Sequence, residues 1–152
     1  AGGKVCLYVS NGTQLLADIG GWFTGSSPFR PVLPARLLDT RNGGQTVDAV
    51  GQGGGAAAPE SITEVQVTGR AGVPADAAAA VLNVTVTQPQ DAGFVTAFPC
   101  GTTPPTASNL NFVQGSTVPN NVIAKIGTGG KVCLFASTGT HLLVDVSGYF
   151  TT

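Results

Sequence analysis

Short runs of alternating apolar and polar residues fill most of this chain and predict β-strands. In the last run, THLLVDVSGYF at residues 140–150, one predicted face carries Leu142, Val144, Val146 and Phe150. The opposite face carries His141, Leu143, Asp145 and Tyr149. VLNVTVT at residues 81–87 alternates in the same way. A period of two residues is typical of a strand with one face in a core and the other in solvent.

The other predicted strands are equally short and are separated by turn-forming glycines and prolines. They lie at Arg36–Thr40, Ile62–Thr68, Gly93–Phe98, Asn109–Val113 and Val122–Gly127. Short, evenly spaced strands of this kind favour an all-β fold, an antiparallel β-sandwich or jelly-roll-like domain. Residues 42–59 are rich in glycine and alanine and are predicted to form a long surface loop. The one possible helix, Ala75–Ala80, is too short to carry a fold.

The chain contains two copies of one 23-residue pattern. The first copy is GGKVCLYVSNGTQLLADIGGWFT at residues 2–24, and the second is GGKVCLFASTGTHLLVDVSGYFT at residues 129–151. Fifteen of the 23 aligned residues are identical, and the offset between the copies is 127 residues. Each copy is predicted to form a β-hairpin. A self-match at a fixed period is the mark of a tandem array.

Three arrangements account for the two copies. The sequence is a segment of a longer tandem array, or a hairpin is exchanged between chains, or one domain contains two hairpins. The array is the most economical. Residues 1–24 are then the last hairpin of a preceding or neighbouring unit, 25–34 a proline-containing linker, and 28–152 one β-sandwich unit. The hairpin needs a body to cover its apolar face. Predicted inter-unit contact residues are Leu7, Leu15, Ile19, Trp22, Phe23, Phe29, Tyr149 and Phe150.

Composition excludes several classes of partner. Charged residues make up 10% of the chain and the net charge is −1, so the basic surface that binds nucleic acid is missing. No apolar run approaches the ~20 residues that a membrane-spanning helix needs, which argues against membrane insertion. A weakly charged surface has little self-repulsion, so copies of the unit can pack closely.

The three cysteines predict one disulfide and one unpaired thiol. Cys100 and Cys133 close a loop between adjacent predicted strands, whereas Cys6 pairs with a neighbouring unit or is free. Disulfide use indicates an oxidising compartment outside the cytoplasm. The alternative is that all three cysteines are reduced, buried small hydrophobes. The sequence has no C-x-x-C spacing and a single histidine, so we expect no metal site.

Catalytic candidates are few, and the chain is predicted not to be an enzyme. His141, the only histidine, is replaced by Gln14 in the first copy. Asp18 and Asp145 match, and their only plausible acidic companion is Asp39. We expect these carboxylates to pair with Arg36 or Arg41 in a structural network, with no catalytic residue and no cofactor.

Four segments resemble a secreted tandem-repeat module of actinobacterial and related cell-surface proteins. They are FRPVLPARLLDTR, VQVTGRAGVPADAAAAVLNVTVTQP, FPCGTTPPTASNLNF and KVCLFASTGTHLLVDVSGYF. The likeness covers nearly all of residues 28–150 and places the start of a unit near Phe29. The resemblance implies an exported, multi-copy module, often attached to hydrolases or other surface domains, with no established activity of its own.

These observations predict an extracellular or cell-surface structural protein whose partners are copies of itself, joined head to tail in a stalk or filament. Trp22 and Tyr149 are equivalent, are predicted to face outward, and adjoin the linker in both copies. We expect them to pack against Phe29 and Pro31 of the next unit. The alternative is a carbohydrate- or cell-wall-binding β-sandwich, in which these exposed aromatic residues stack on sugar rings of an adhesion partner.

Overall fold

A computed structural model describes residues 3–17, 19 and 21–152. Across these residues there is no α-helix and only a single 3-10 turn, Thr128–Gly130. No helix there has the length and apolar character required to cross a lipid bilayer. Eight strands make up the fold: β1 (Phe29–Asp39), β2 (Ser61–Gln66), β3 (Ala79–Thr87), β4 (Gly93–Pro99), β5 (Leu110–Phe112), β6 (Thr117–Lys125), β7 (Lys131–Ala136) and β8 (His141–Phe150).

The strands form two four-stranded antiparallel sheets that pack face to face. The order is β1-β8-β3-β6 in the first sheet and β2-β7-β4-β5 in the second. This order is that of an eight-stranded jelly roll, in which two sheets enclose one core. The all-β sandwich predicted from the alternation is confirmed. Fully buried side chains come from both sheets and include Leu37, Leu82, Leu134, Leu142, Val65, Val84, Val95, Val132 and Val144.

Strand positions follow the predictions, but two strands begin much earlier than predicted: β1, and β6, which begins at Thr117 and not at Val122. The first strand begins at Phe29, whereas Arg36 was the predicted start, so most of the predicted 25–34 linker belongs to β1. β1 tolerates Pro31 and Pro34 because it lies at a sheet edge, where the missing N–H of a proline can face away from the neighbouring strand and no hydrogen bond of the sheet is lost. Residues 42–59 form the predicted loop, apart from two isolated bridges, and 75–80 contain no helix.

The predicted C-terminal hairpin is wrong. β7 pairs with β2 and β4 in the second sheet, whereas β8 lies between β1 and β3 in the first. Residues 137–140 therefore cross from one sheet to the other. Both strands are internal, and their inward faces meet the core from opposite sides. A period-two pattern is the same whichever sheet accepts the strand, so the alternation could not reveal this.

A bulge near the end of β8 reverses the predicted direction of its last side chains. Val146 pairs with Leu82, whereas the adjacent residue of β3, Val81, pairs with Gly148, so that Ser147 has no partner of its own. Two residues of β8 thus lie opposite a single residue of β3. The side chains of β8 after this bulge therefore point to the opposite face of the sheet from the one that the alternation predicts. Tyr149, opposite Ala80, consequently packs against the core, and Phe150 lies on the outer face. The predicted faces of these two aromatic residues are wrong.

The described residues of 3–24 form no strand and are exposed to solvent. The hairpin predicted for the first copy is therefore not formed in the isolated chain. Whether it forms against a neighbouring body stays a prediction, since the single chain contains one body only. Asp18, matched to Asp145 in the sequence, lies outside the described residues.

The first and the last strand residues of the sandwich lie at the same end of the molecule, which we call the base. Phe29 at the start of β1 pairs with Phe150 at the end of β8. Beyond this pair the backbone N–H of Thr151 donates a hydrogen bond to the carbonyl of Pro28 over 3.1 Å. The chain thus enters and leaves the body side by side.

At the opposite end, which we call the tip, three turns are fastened to one another. They are residues 88–92, 113–116 and 137–140. The N–H of Gln90 donates to the carbonyl of Gly139 over 2.8 Å, and the N–H of Gly115 donates to the carbonyl of Pro89 over 2.9 Å. The tip is therefore a hydrogen-bonded unit of its own, a full strand length away from the chain's points of entry and exit.

Candidate functional site

Three phenylalanines meet at the base and form what we call the base cluster. The ring centroids of Phe23 and Phe29 are 4.5 Å apart, those of Phe29 and Phe150 5.3 Å, and those of Phe23 and Phe150 6.0 Å. The Phe29 ring lies directly over Gly148, and a Cβ atom at that position would clash with it. Aromatic rings at these separations attract one another beyond simple burial. The cluster fastens the end of the first copy to the start of the sandwich.

The remainder of the first copy exposes apolar side chains whose equivalents in the second copy fill the core. Val5, Leu7, Leu15 and Ile19 are 89%, 60%, 56% and 91% exposed. Their equivalents 127 positions later, Val132, Leu134, Leu142 and Val146, are all 0% exposed. The first copy thus has the side-chain pattern of two internal strands but, in the isolated chain, nothing to cover them.

The aromatic contact with Phe29 that was predicted for Trp22 is made, within this chain, by another residue of the first copy. Trp22 is 86% exposed, whereas its equivalent Tyr149 is half-buried against the core. The side chain that contacts Phe29 is Phe23, the residue after Trp22. Phe23 also borders a shallow, open groove of about 550 Å³ that continues along the link to Pro31. In the described chain, the ring contact with Phe29 is thus made by Phe23, and the contact between units stays a prediction.

The predicted disulfide between Cys100 and Cys133 is present, with Cα atoms 5.0 Å apart. It is buried with Phe98 and Phe135 on the outer face of the second sheet. Cys6 is exposed and has no partner within the described part of the chain. A carboxylate oxygen of Glu64 lies within 4.8 Å of both bonded sulfurs. A disulfide leaves no thiolate to bind a metal, so this group is not a metal site.

An arginine–aspartate network, as predicted, joins β1 to β8 on the outer face of the first sheet. The Arg36 guanidinium donates to both carboxylate oxygens of Asp145, over 2.8 and 3.0 Å, and to Asp39 over 3.2 Å. Arg41 donates two side-chain hydrogen bonds to Asp39, over 2.9 and 2.7 Å. Gly44 packs against this carboxylate, where a Cβ atom would be 2.6 Å from its Cγ. Both aspartates are thus occupied by guanidinium groups.

The bonds from Arg41 are the main reason why the pKa of Asp39 falls from 3.8 to about 2. His141, the other catalytic candidate, has Nδ1 3.1 Å from the hydroxyl of Thr40. That hydroxyl also accepts a hydrogen bond from the backbone N–H of Leu142 over 2.9 Å. His141 therefore helps to fix the start of β8 against the end of β1.

Arg70 is the structural residue that sequence reasoning missed. It is buried, and its guanidinium donates to both oxygens of Asp48, over 2.8 and 2.6 Å. The same group donates to the carbonyls of Leu37, Gln66 and Val50, each over 2.9 to 3.0 Å. These five bonds hold the 42–59 loop against the edge of the sandwich. The bond from Arg70 is the main cause that lowers the pKa of Asp48 to about 2.

Acid should weaken the Arg36–Asp39–Arg41 network. A depressed pKa means that ionised Asp39 stabilises the fold above about pH 4, and that this contribution is lost as the pH falls through about 2. The shift from 3.8 to about 2 corresponds to about 2 kcal/mol. We expect Asp39→Asn to lower the free energy of unfolding by about this amount at pH 7, measured by urea denaturation.

The difference between the wild type and Asp39→Asn should shrink between pH 4 and pH 2. Asp76→Asn, a change at an exposed aspartate, serves as the control and should have little effect at any pH. A difference for Asp39→Asn that stays constant down to pH 2 would contradict the role given to the ionised carboxylate.

No protein-family model matches this chain, and no curated protein or solved structure is similar to it. The two copies of the 23-residue pattern are therefore the strongest guide to function.

Proposed function

We propose that this chain is a non-enzymatic structural repeat protein, in which β-sandwich units follow one another in a tandem array outside the cell or at its surface. The observation that carries the proposal is the contrast between the two copies. Side chains that are more than half exposed in the first copy correspond to fully buried ones in the second. Burying each such side chain stabilises a fold by roughly 1.5 to 3 kcal/mol, so the first copy has a strong tendency to complete a sandwich.

The sandwich that the first copy completes is a preceding unit. β7 and β8 are internal strands of opposite sheets, so their equivalent cannot simply add to the edge of a finished sandwich. In residues 28–152 both places are already filled. Exchange between complete chains would replace one set of contacts by a nearly identical set and would also cost association entropy. A unit directly upstream in the same polypeptide has these two places free, and the first copy supplies its β7 and β8.

The disulfide supports an extracellular location, since such bonds persist in oxidising compartments. The resemblance to secreted repeat modules points the same way. In this proposal Cys6 corresponds to Cys133 and pairs with the preceding unit's equivalent of Cys100. The partners of each unit are thus copies of itself.

The carbohydrate-binding alternative loses its main support. It rests on Trp22 and Tyr149 as outward-facing aromatic residues, but Tyr149 packs against the core beyond the β8 bulge. By equivalence, Trp22 would pack in the same way in a completed preceding unit. The exposed indole of the isolated chain is then a surface that the array covers.

A two-body chain tests the proposal. It carries a second copy of residues 28–128 placed directly before residue 2, so that the first copy can complete an upstream sandwich. We expect Cys6 to form a disulfide with the added Cys100, detected by peptide mapping without reduction. We also expect backbone amides of residues 4–17 to exchange hydrogen as slowly as those of 131–144, because they would enter sheet ladders.

The 152-residue chain is the control for this experiment. In it, Cys6 should react with an alkylating agent without prior reduction, and the amides of residues 4–17 should exchange rapidly. If Cys6 stays alkylatable and these amides stay unprotected in the two-body chain, the first copy does not complete a unit and the proposed function fails.

A further inference from the structure

The positions of the chain ends determine how units in such an array can be arranged. The base carries both the start of β1 and the end of β8, joined by the Phe29–Phe150 pair. A head-to-tail stack along the long axis needs entry at one end of a unit and exit at the other. This sandwich has both at the same end.

The link between units is also very short. Phe23 and Phe150 are equivalent residues of consecutive units, and their rings are 6.0 Å apart. Between Thr24 and Phe29 the chain makes a turn, in which the N–H of Ser27 donates to the carbonyl of Thr24 over 3.0 Å. A turn of this kind brings its first and fourth Cα atoms within about 7 Å. The bases of consecutive units are therefore almost in contact.

A sandwich is much wider than the distance that separates the bases of consecutive units. Four strands about 4.8 Å apart make each sheet roughly 15 to 20 Å wide, and two sheets stack about 10 Å apart. β8, with 10 residues, spans about 33 Å from base to tip. Consecutive bodies that pointed in the same direction would overlap. They have to point in different directions.

We propose that consecutive units are joined base to base along a narrow spine, from which the sandwiches project in different directions. The interaction surface is the base cluster, and its partner is the base of a second copy of the same unit. The spine consists of residues 21–31 and their equivalents in each unit. This arrangement replaces the head-to-tail stack expected from the sequence, and it rests on the proposed function.

Apolar side chains around the base are suited to such a contact. Phe23 is 58% exposed even within the cluster. Leu33 is 89% exposed, in a bulge of β1 where three residues, Val32 to Pro34, interrupt the pairing with β8. Among the described residues, the contacts of the cluster are aromatic rings, and the neighbouring Arg30 guanidinium donates to the backbone carbonyls of Ser27 and Phe29. A second base would remove these apolar side chains from water.

A four-body chain made by repeating the 127-residue period distinguishes the two arrangements by small-angle X-ray scattering. Four bodies stacked end to end would form a rod about 130 Å long, given roughly 33 Å for each body. Bodies that project from a spine should give a maximum dimension of about 80 Å, a little more than two body lengths. A rod near 130 Å would overturn the proposal.

Two variants test the part played by the base cluster. Phe29→Ala in every unit should loosen the bases and increase the radius of gyration of the four-body chain. Phe94→Ala is the matched control, because its ring packs against Phe135 on the outer face of the second sheet. It should leave the scattering profile unchanged. If Phe29→Ala also leaves the profile unchanged, the cluster does not hold consecutive bases together.

Disulfide mapping of the same chain keeps this proposal separate from the proposed function. If each Cys6 equivalent pairs with a Cys100 equivalent and the chain is nevertheless a long rod, the units are completed as proposed but the spine is wrong. If the Cys6 equivalents remain unpaired, the proposed function fails, and the spine fails with it.

Discussion

Replacement of Arg70 by alanine is expected to lower the free energy of unfolding by about 3 kcal/mol, because backbone carbonyls lose a charged donor at a cost of roughly 1 to 3 kcal/mol for each buried acceptor left unsatisfied. The guanidinium satisfies three carbonyl groups, those of Leu37, Gln66 and Val50, as well as a carboxylate. Without it, the buried bond to Leu37 and the partly buried bonds to Gln66 and Val50 are lost, whereas the exposed carboxylate of Asp48 can bind water instead. Urea denaturation of the variant and the wild type measures the difference.

Arg70→Lys should restore little of this loss. An ammonium group cannot reproduce the planar fork that reaches two carboxylate oxygens and three carbonyls at once. Lys131→Ala is the control, since Lys131 makes a single exposed ion pair with Glu64 over 2.6 Å. Pairs of that kind contribute at most about 1 kcal/mol. An Arg70→Ala protein no less stable than Lys131→Ala would show that the buried bonds do not fasten the loop.

Loss of the disulfide should have an effect of similar or greater size. Cys100 and Cys133 are 33 positions apart, and cross-links that close loops of this length stabilise a fold by about 4 kcal/mol, largely by restricting the unfolded chain. We expect the Cys100→Ala/Cys133→Ala double variant to show this loss in urea denaturation. The wild type treated with a reductant should approach the same unfolding midpoint.

Cys6→Ala is the matched control for the disulfide variant, because Cys6 is exposed and unpaired in the described structure of the single chain. Its unfolding midpoint should equal that of the wild type. If reductant leaves the wild-type midpoint unchanged, the cross-link contributes no stability and the chain-entropy argument fails for this loop.

Local patterns in the sequence predicted most of the strands and their buried faces. The period-two alternation of β3 gives its core residues directly, because one side of each sheet faces the core and the other does not. The pairing of Arg36 with Asp145 was also accessible, as these residue types stand on the outer faces of two predicted strands. Residue type and period were enough for these features.

Features that depend on contacts distant in sequence were out of reach. The turn Thr138–Gly139 is typical of a hairpin, and nothing local indicates that β7 and β8 enter different sheets. The β8 bulge is set by the pairing of Val81 with Gly148, which the sequence alone does not determine. Arg70 and Asp48 meet only because the long loop folds back along the sandwich edge. In each case tertiary pairing decides between locally equivalent choices.

If units are joined at the base, the hydrogen-bonded turns at the tip take no part in the contacts between units. Residues 88–92, 113–116 and 137–140 are far from the spine, so a change in their exposed side chains would leave the joints between units undisturbed. A polypeptide with several units would present one such platform per unit, all directed outward. The number of potential binding surfaces on such a polypeptide would then equal the number of its units. A platform with only weak affinity for a ligand on another surface would then bind that surface with high avidity, because each further attachment is intramolecular.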